Sequence, residues 1–233
     1  MKQSVYRLSR TIYLKRRLHL LITAGPTREP IDPVRFISNY STGVLGYTLA
    51  KEAKKKGYKV TLISGITDLN PPPGVKFVLV NTASEMYKEV KKFFPSCNCL
   101  IMTAGVCDFQ PVKVKREKIK KESLRNLVLR LKRTPDILYE MGKRKGRRTL
   151  IGFALETDNL LKNAKEKLRK KNLDWLVAQR LEKNKTPFGN TEVSVILIHK
   201  DGSFQKIPPC SKSRLAKIIL GKIKLLSEIP RFQ

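Results

Sequence analysis

The chain has 233 residues, 41% of them hydrophobic, and a formal net charge of +30. That length suits one large domain, or one domain with a small extension, and the apolar content excludes disorder throughout. No apolar run reaches the roughly 18 residues of a membrane-spanning helix. The charge points first to a polyanion partner, but the basic residues are spread over most predicted helices without interleaved aromatics. A solvated basic surface accounts for them at least as well.

The opening stretch MKQSVYRLSRTIYLKRR is basic, has no acidic residue and lacks the apolar core of a secretory signal. A transit peptide shares this composition, as does a basic arm ahead of the first strand. We read residues 1–17 as an arm and 18–233 as a single domain.

Strand-like and helix-like segments then alternate. Short runs rich in Val, Ile and Leu predict strands at Leu18–Ala24, Lys59–Ser64, Val75–Val80, Cys99–Ala104, Leu150–Ala154 and Trp175–Ala178. Helical periodicity falls between them, at Thr42–Lys56, Ala83–Phe94, Pro135–Lys145 and Asn159–Asn172. Ser41 or Thr42 suits the cap of the first helix and Gly57 its end; Thr134 suits a cap before Pro135. This alternation predicts an α/β fold with a doubly wound, mostly parallel, Rossmann-like sheet. Two segments depart from it. VKVKREKIKKES has no apolar face and reads as a mobile loop, whereas SLRNLVLRLKR alternates around Leu127, Leu129 and Leu131 and reads as a strand. Near the end, TEVSVILIHKDGSFQKIP reads as an appended antiparallel hairpin turning at Asp201–Gly202, with an apolar row Val193, Val195, Leu197. Such a hairpin covers a sheet edge or pairs with a second subunit. An amphipathic helix, Lys212–Ser227, closes the chain. Cys97, Cys99, Cys107 and Cys210 have no metal-ligand spacing, and the first two are too close for a normal disulfide, so all four read as reduced thiols of a cytoplasmic protein.

Three loops carry candidate chemistry. The first follows the opening strand and holds Gly25, Arg35, Asn39 and then STGVLG, with Gly43 and Gly46 at a helix start. Free N–H groups and the helix dipole suit an anion there. Glycines also end strands for packing alone, and Arg35 and Asn39 also suit internal ties of a long loop. The spacing matches neither the dinucleotide fingerprint nor a Walker loop. The second loop, TAGVCDFQP, sets Asp108 just past a strand end, where a carboxylate holds a ribose hydroxyl, a base amine or a metal, or simply forms a turn. The third, REKIKK, offers Lys118, Lys120 and Lys121. Such lysines either close over a triphosphate or form a solvated charge run. Lys167 and Lys171 lie four apart on one helix face.

Together, ITAGPTREPIDPVRFISNYSTGVLG, AGVCDFQP, EKIKK, TPDIL and GFALET resemble, in order and spacing, the phosphopantothenate–cysteine ligases, the synthetase half of the bifunctional coenzyme A biosynthesis flavoproteins. The resemblance runs from about Leu18 to the closing helix. It implies a ligase that activates 4'-phosphopantothenate with a nucleoside triphosphate and Mg2+, releases pyrophosphate, and transfers the acyl group to cysteine. The motifs resemble the CTP-using members more than the ATP-using ones. The seventeen residues before Leu18 are too few for the flavin-binding decarboxylase half. The resemblance therefore implies a stand-alone ligase without flavin, served by a separate phosphopantothenoylcysteine decarboxylase, and a homodimer paired through Thr191–Pro208.

Residue by residue, the resemblance implies that Asn39 contacts the acyl-nucleotide and that Arg35 is its neighbouring arginine. Arg35, Asn39, Ser41, Gly43 and Ala104 then lie with the substrate, and Asn39 is with Lys118 a candidate catalytic residue. Gly25, Asp108, Lys118, Phe153, Lys167 and Lys171 lie with the nucleotide, and Pro135, Asp136, Ile137 and Leu138 frame the cytosine. Lys118 becomes the candidate for stabilising the transition state. Phe153 also fits as a core aromatic at a strand end. The metal ligands stay unassigned. Two departures stand out: Gly105 and Cys107 replace alanines common in the family, the first a mild change and the second a thiol beside the nucleotide site. Leu155 replaces another alanine and repacks a wall. The competing reading is a basic nucleotide- or nucleic-acid-binding module that keeps the fold without the ligase activity.

Overall fold

The computed structural model describes residues 18–120, 126–182 and 186–227. The basic arm, Lys121 and the first residues of the predicted SLRNLVLRLKR strand lie outside these ranges. The elements run in the order β1 (His19–Ala24), β2 (Arg28–Pro30), β3 (Phe36–Ser38), α1 (Val44–Lys55), β4 (Lys59–Ser64), β5 (Lys76–Leu79), α2 (Ala83–Phe93), β6 (Cys99–Met102), β7 (Phe109–Pro111), β8 (Leu131–Arg133), α3 (Ile137–Lys143), β9 (Thr149–Glu156), α4 (Leu160–Lys170), β10 (Trp175–Arg180), β11 (Val193–His199), β12 (Phe204–Cys210) and α5 (Lys212–Ser227).

Eight strands form the main sheet, in the order β12-β11-β10-β9-β6-β1-β4-β5. The six strands from β5 to β10 are parallel; β11 and β12 run antiparallel to their neighbours. Strand alternation divides β1 between two cores. Leu20 and Ile22 join Leu49 and Ala53 of α1 and Leu215 and Ile219 of α5. Leu21 faces the other way, toward Met86 of α2, Met141 of α3 and Leu168 of α4. A strand covered by helices on both faces has no polar side, so HLLITA is buried at every residue. From β1 the chain first winds outward to β4 and β5, then returns to β6 and winds the other way to β9 and β10. The carboxyl ends of β1 and β6 therefore flank a topological switch point.

The six predicted parallel strands and five helices are present, with boundaries shifted by a few residues. Three local details differ. Helix α1 is not capped by Ser41 or Thr42: Gly43 takes the cap position at φ 79° without a side-chain cap, and the Thr42 hydroxyl accepts the Gly189 N–H instead. Helix α3 starts after Asp136, whose carboxylate accepts the Tyr139 N–H at 3.1 Å. Thr134 does not cap it; its hydroxyl donates to the Cys107 carbonyl. The predicted leucine strand shrinks to β8, which pairs only with three-residue β7. With so short a partner, Leu127, Leu129 and Leu131 stay exposed instead of forming a core row.

The long first loop contains an unpredicted ribbon, β2 against β3. Its signal is masked by Pro30 and by charged residues that alternation rules discount. The terminal hairpin forms as expected, with Val193, Val195 and Leu197 buried. It extends the sheet through β10 and makes β12 the edge strand, with Pro208 and Pro209 near its end. All four cysteines are free and buried, and no helix among the described residues is long and apolar enough to cross a membrane.

Candidate active site

A cavity of about 890 Å³ opens at the carboxyl ends of the parallel strands, within the range of small-molecule sites. One wall is the start of α1. Gly46 lets this helix press on the sheet: a Cβ there would stand 2.5 Å from the Ala24 Cβ and 2.6 Å from the Thr103 hydroxyl. Its amino end consequently sits directly over the switch point, with no side chain capping it.

The first and second loops are zipped together beside it. The Gly105 N–H donates to the Gly25 carbonyl, and the Thr27 N–H to the Gly105 carbonyl. Asn39 Nδ2 donates to the carbonyls of Gly105 (3.2 Å) and Val106 (3.0 Å). Asn39 thus ties the loops, as the internal reading expects, and also lines the cavity. Gly105 is less neutral than its sequence context suggests. A Cβ there would stand 2.7 Å from the Ser41 Cβ, so an alanine would push the Ser41 backbone away. Cys107 also differs from expectation. Its thiol is buried under the loop, donating to the carbonyls of Thr27 and Ile37, and it is not on the cavity wall. Burial pushes its pKa up, with a smaller opposing effect from the Thr27 hydrogen bond.

Opposite lie α3, the end of β9, and α4. Phe153 lines the cavity while packing against the core. Leu155 is half-exposed on the same wall, as expected of a wall residue. Lys171 bridges to Asp136 at 2.7 Å, which fixes the 135–138 segment against α4. Lys167 has its pKa lowered, first by burial and then by the Lys171 charge; Glu156, Asp108 and Asp136 partly offset this. An anion entering the cavity would relieve both effects.

Of the residues singled out from sequence, Ser41, Gly43, Ala104, Asp108, Pro135, Ile137 and Leu138 also line this cavity. Gly25, Arg35 and Lys118 do not. Gly25, at φ 68°, is packed under the loops beside Thr67 and Gly65. Arg35 pairs with Asp32, and Lys118 is exposed on its loop.

Sequence reasoning missed Lys212, whose ammonium lies on the cavity wall and donates to the carbonyls of Pro187 and Gly189. Burial lowers its pKa. One signal was available: a lysine in the first turn of a helix with no acidic residue there opposes the helix dipole. No cluster of three or more His, Cys, Asp or Glu residues able to hold a metal occurs among the described residues.

A doubly wound, mostly parallel sheet with an open crevice at its switch point defines a Rossmann-like α/β domain. Comparison with known proteins narrows this class. Residues 15–226 match the family described as the DNA/pantothenate metabolism flavoprotein C-terminal domain, and the chain belongs to that family. The coenzyme A biosynthesis bifunctional proteins CoaBC of Borreliella burgdorferi and Bacillus subtilis are each 43% identical, across 89% and 90% of this chain. The chain spans about half the length, 52%, of these curated relatives. A crystal structure of the C-terminal domain of a CoaBC protein superposes with a TM-score of 0.78 at 38% identity, covering 91% of this chain and 97% of that one.

Proposed function

We propose that this chain is a phosphopantothenate–cysteine ligase of coenzyme A biosynthesis, using CTP. The observation that carries the reading is convergence. Asn39, Asp108, Phe153, Lys167, Lys171 and the 135–138 segment come from separate stretches of chain, yet all line one cavity. They are most of the positions that the resemblance assigned to the acyl-nucleotide and the nucleotide; Gly25 and Lys118, assigned with them, stand off the wall.

The chemistry has two displacements. A carboxylate oxygen of phosphopantothenate attacks the α-phosphorus of CTP; an acyl O–P bond forms and the bond to pyrophosphate breaks. The cysteine amine then attacks the acyl carbon, a C–N bond forms, CMP leaves with the C–O electron pair, and the amine loses a proton. Lys167 and Lys171 compensate the triphosphate charge, and the backbone of 135–138 reads the base edge. The Asn39 Nδ2 hydrogens are held by the Gly105 and Val106 carbonyls, which leaves its Oδ1 as an acceptor for the cysteine amine that attacks the mixed anhydride. Lys118 closes from its loop and stabilises charge developing at phosphorus.

Mg2+ keeps several waters and binds through one or two carboxylates plus substrate phosphates. Asp108, an exposed carboxylate on the wall, fits that role, whereas Asp136 is engaged by Lys171. The ion would supply charge compensation to the phosphates.

We assign residues 18–233 to one ligase domain, with phosphopantothenate, cysteine and CTP as substrates, a homodimer paired through the 191–208 hairpin, and a cytoplasmic location. Purified protein given CTP, Mg2+, phosphopantothenate and cysteine is expected to release pyrophosphate. No release with either CTP or ATP rejects the reading.

A further inference from the structure

Beneath the Lys118 loop, Asp32 has no assigned task, and its partner Arg35, expected on the substrate, stands off the cavity wall. Asp32 sits in the tight Ile31–Arg35 turn of the first loop, with its carboxylate fully buried. It accepts the N–H groups of Val34 and Arg35 at 2.8 Å each and an Arg35 guanidinium N–H at 3.0 Å. It also accepts, across 87 residues of chain, the Ile119 N–H at 3.1 Å. Arg35 completes the ring: two of its guanidinium nitrogens donate to the Ile119 carbonyl at 3.2 Å each. A further bond, Lys115 N–H to the Ile31 carbonyl at 2.9 Å, holds the loop three residues before Lys118.

Both backbone polar groups of Ile119 are therefore held by one ion pair. The peptide plane that Ile119 N–H belongs to is also the plane leaving Lys118, and a planar peptide transmits its orientation to the preceding Cα. Lys118 itself is exposed. A segment with no apolar face has no packing to seat it, so these charge-assisted bonds are what define its position.

We propose that Asp32 is a positioning residue: its carboxylate, with Arg35, clips the Lys118 loop to the first loop and sets where the Lys118 ammonium can reach over the cavity. This rests on the ligase reading and gives Arg35, which stands off the cavity wall, a role through the loop rather than on the substrate. The acidity of Asp32 agrees. Burial alone would raise its pKa, but the N–H groups of Ile119, Val34 and Arg35 and the Arg35 charge outweigh it and hold the pKa below the ordinary value.

The test is a double-mutant cycle on the full chain: wild type, Asp32→Asn, Lys118→Ala and the double variant. Each is assayed for pyrophosphate release with CTP, Mg2+, phosphopantothenate and cysteine, and for amide hydrogen exchange over residues 115–120. Asp32→Asn is expected to speed exchange at Ile119, to lower kcat about tenfold, and to leave the KM for cysteine within about twofold. In the Lys118→Ala background the same substitution is expected to cost less than about twofold, because the group it positions is gone. The same tenfold loss in both backgrounds, or unchanged exchange at Ile119, overturns the positioning role while leaving the ligase reading intact. A wild-type protein that releases no pyrophosphate rejects the ligase reading and this proposal with it.

Discussion

At the scale of single residues, the cavity wall carries Lys167, Lys171 and Lys212, of which Lys171 pairs with Asp136. Lys167 is desolvated and faces Lys171, and Lys212 is buried against carbonyls. Under the proposed ligase reading a triphosphate adds counter-charge beside Lys167, so the charge of Lys167 is expected to matter more for binding than for folding. Lys167→Met keeps the length of the side chain and removes the charge. It is expected to raise the KM for CTP at least about tenfold while leaving thermal stability unchanged or slightly higher, since a desolvated charge is lost. Steady-state kinetics with varied CTP and a thermal melt check both halves; an unchanged KM would contradict the role. Spacing alone reads Lys167 and Lys171 as a surface pair; the family resemblance singled them out, without showing their environment. Nor could sequence show that the Cys107 thiol points under the loop, because that depends on Thr27 and Ile37 lying beneath it.

At the scale of elements, the parallel strands were legible because burial on both faces leaves an apolar run. The ends of elements were not. The start of α1 rests on the backbone conformation of Gly43, and the start of α3 on Asp136 rather than Thr134. The short ribbons β2–β3 and β7–β8 lack the apolar length that marks a strand. One polar residue joins several elements inside the sheet. His19, at the start of β1, meets the Ser96 carbonyl ahead of β6 through Nδ1 and the Thr61 hydroxyl of β4 through Nε2. Its pKa is lowered from 6.5, chiefly by burial, with added effect from Lys59 and Lys76 and opposition from the Ser96 hydrogen bond. A histidine with a depressed folded pKa binds its proton more readily when unfolded. Stability is therefore unaffected above the unfolded value and falls as pH drops below it, levelling off under the folded pKa. Melting temperatures taken from about pH 7.5 to about pH 5.5 are expected to fall more steeply for the wild type than for His19→Gln. Parallel curves would contradict this.

At the scale of the molecule, function follows from winding direction. The sheet reverses between β1 and β6, and loops from distant parts of the chain gather over the gap. The strand and helix alternation made that crevice foreseeable from sequence, as did the glycines and polar residues at strand ends. The clip from Asp32 to Ile119 was not foreseeable, because 87 residues separate its partners and a charge run reads as solvated until something is found to hold it. The overall charge of +30 has no role in this site beyond the few lysines that face it. The central claim is that nucleotide and acid substrate meet in the cavity above the carboxyl ends of the sheet. A crystal structure with CTP and phosphopantothenate soaked in tests it most directly. The account predicts the cytosine beside the 135–138 backbone, the phosphates near Lys167 and Lys171, and the pantothenate carboxylate within reach of Asn39. Either ligand bound in a different part of the molecule, with this cavity left to solvent, would contradict it.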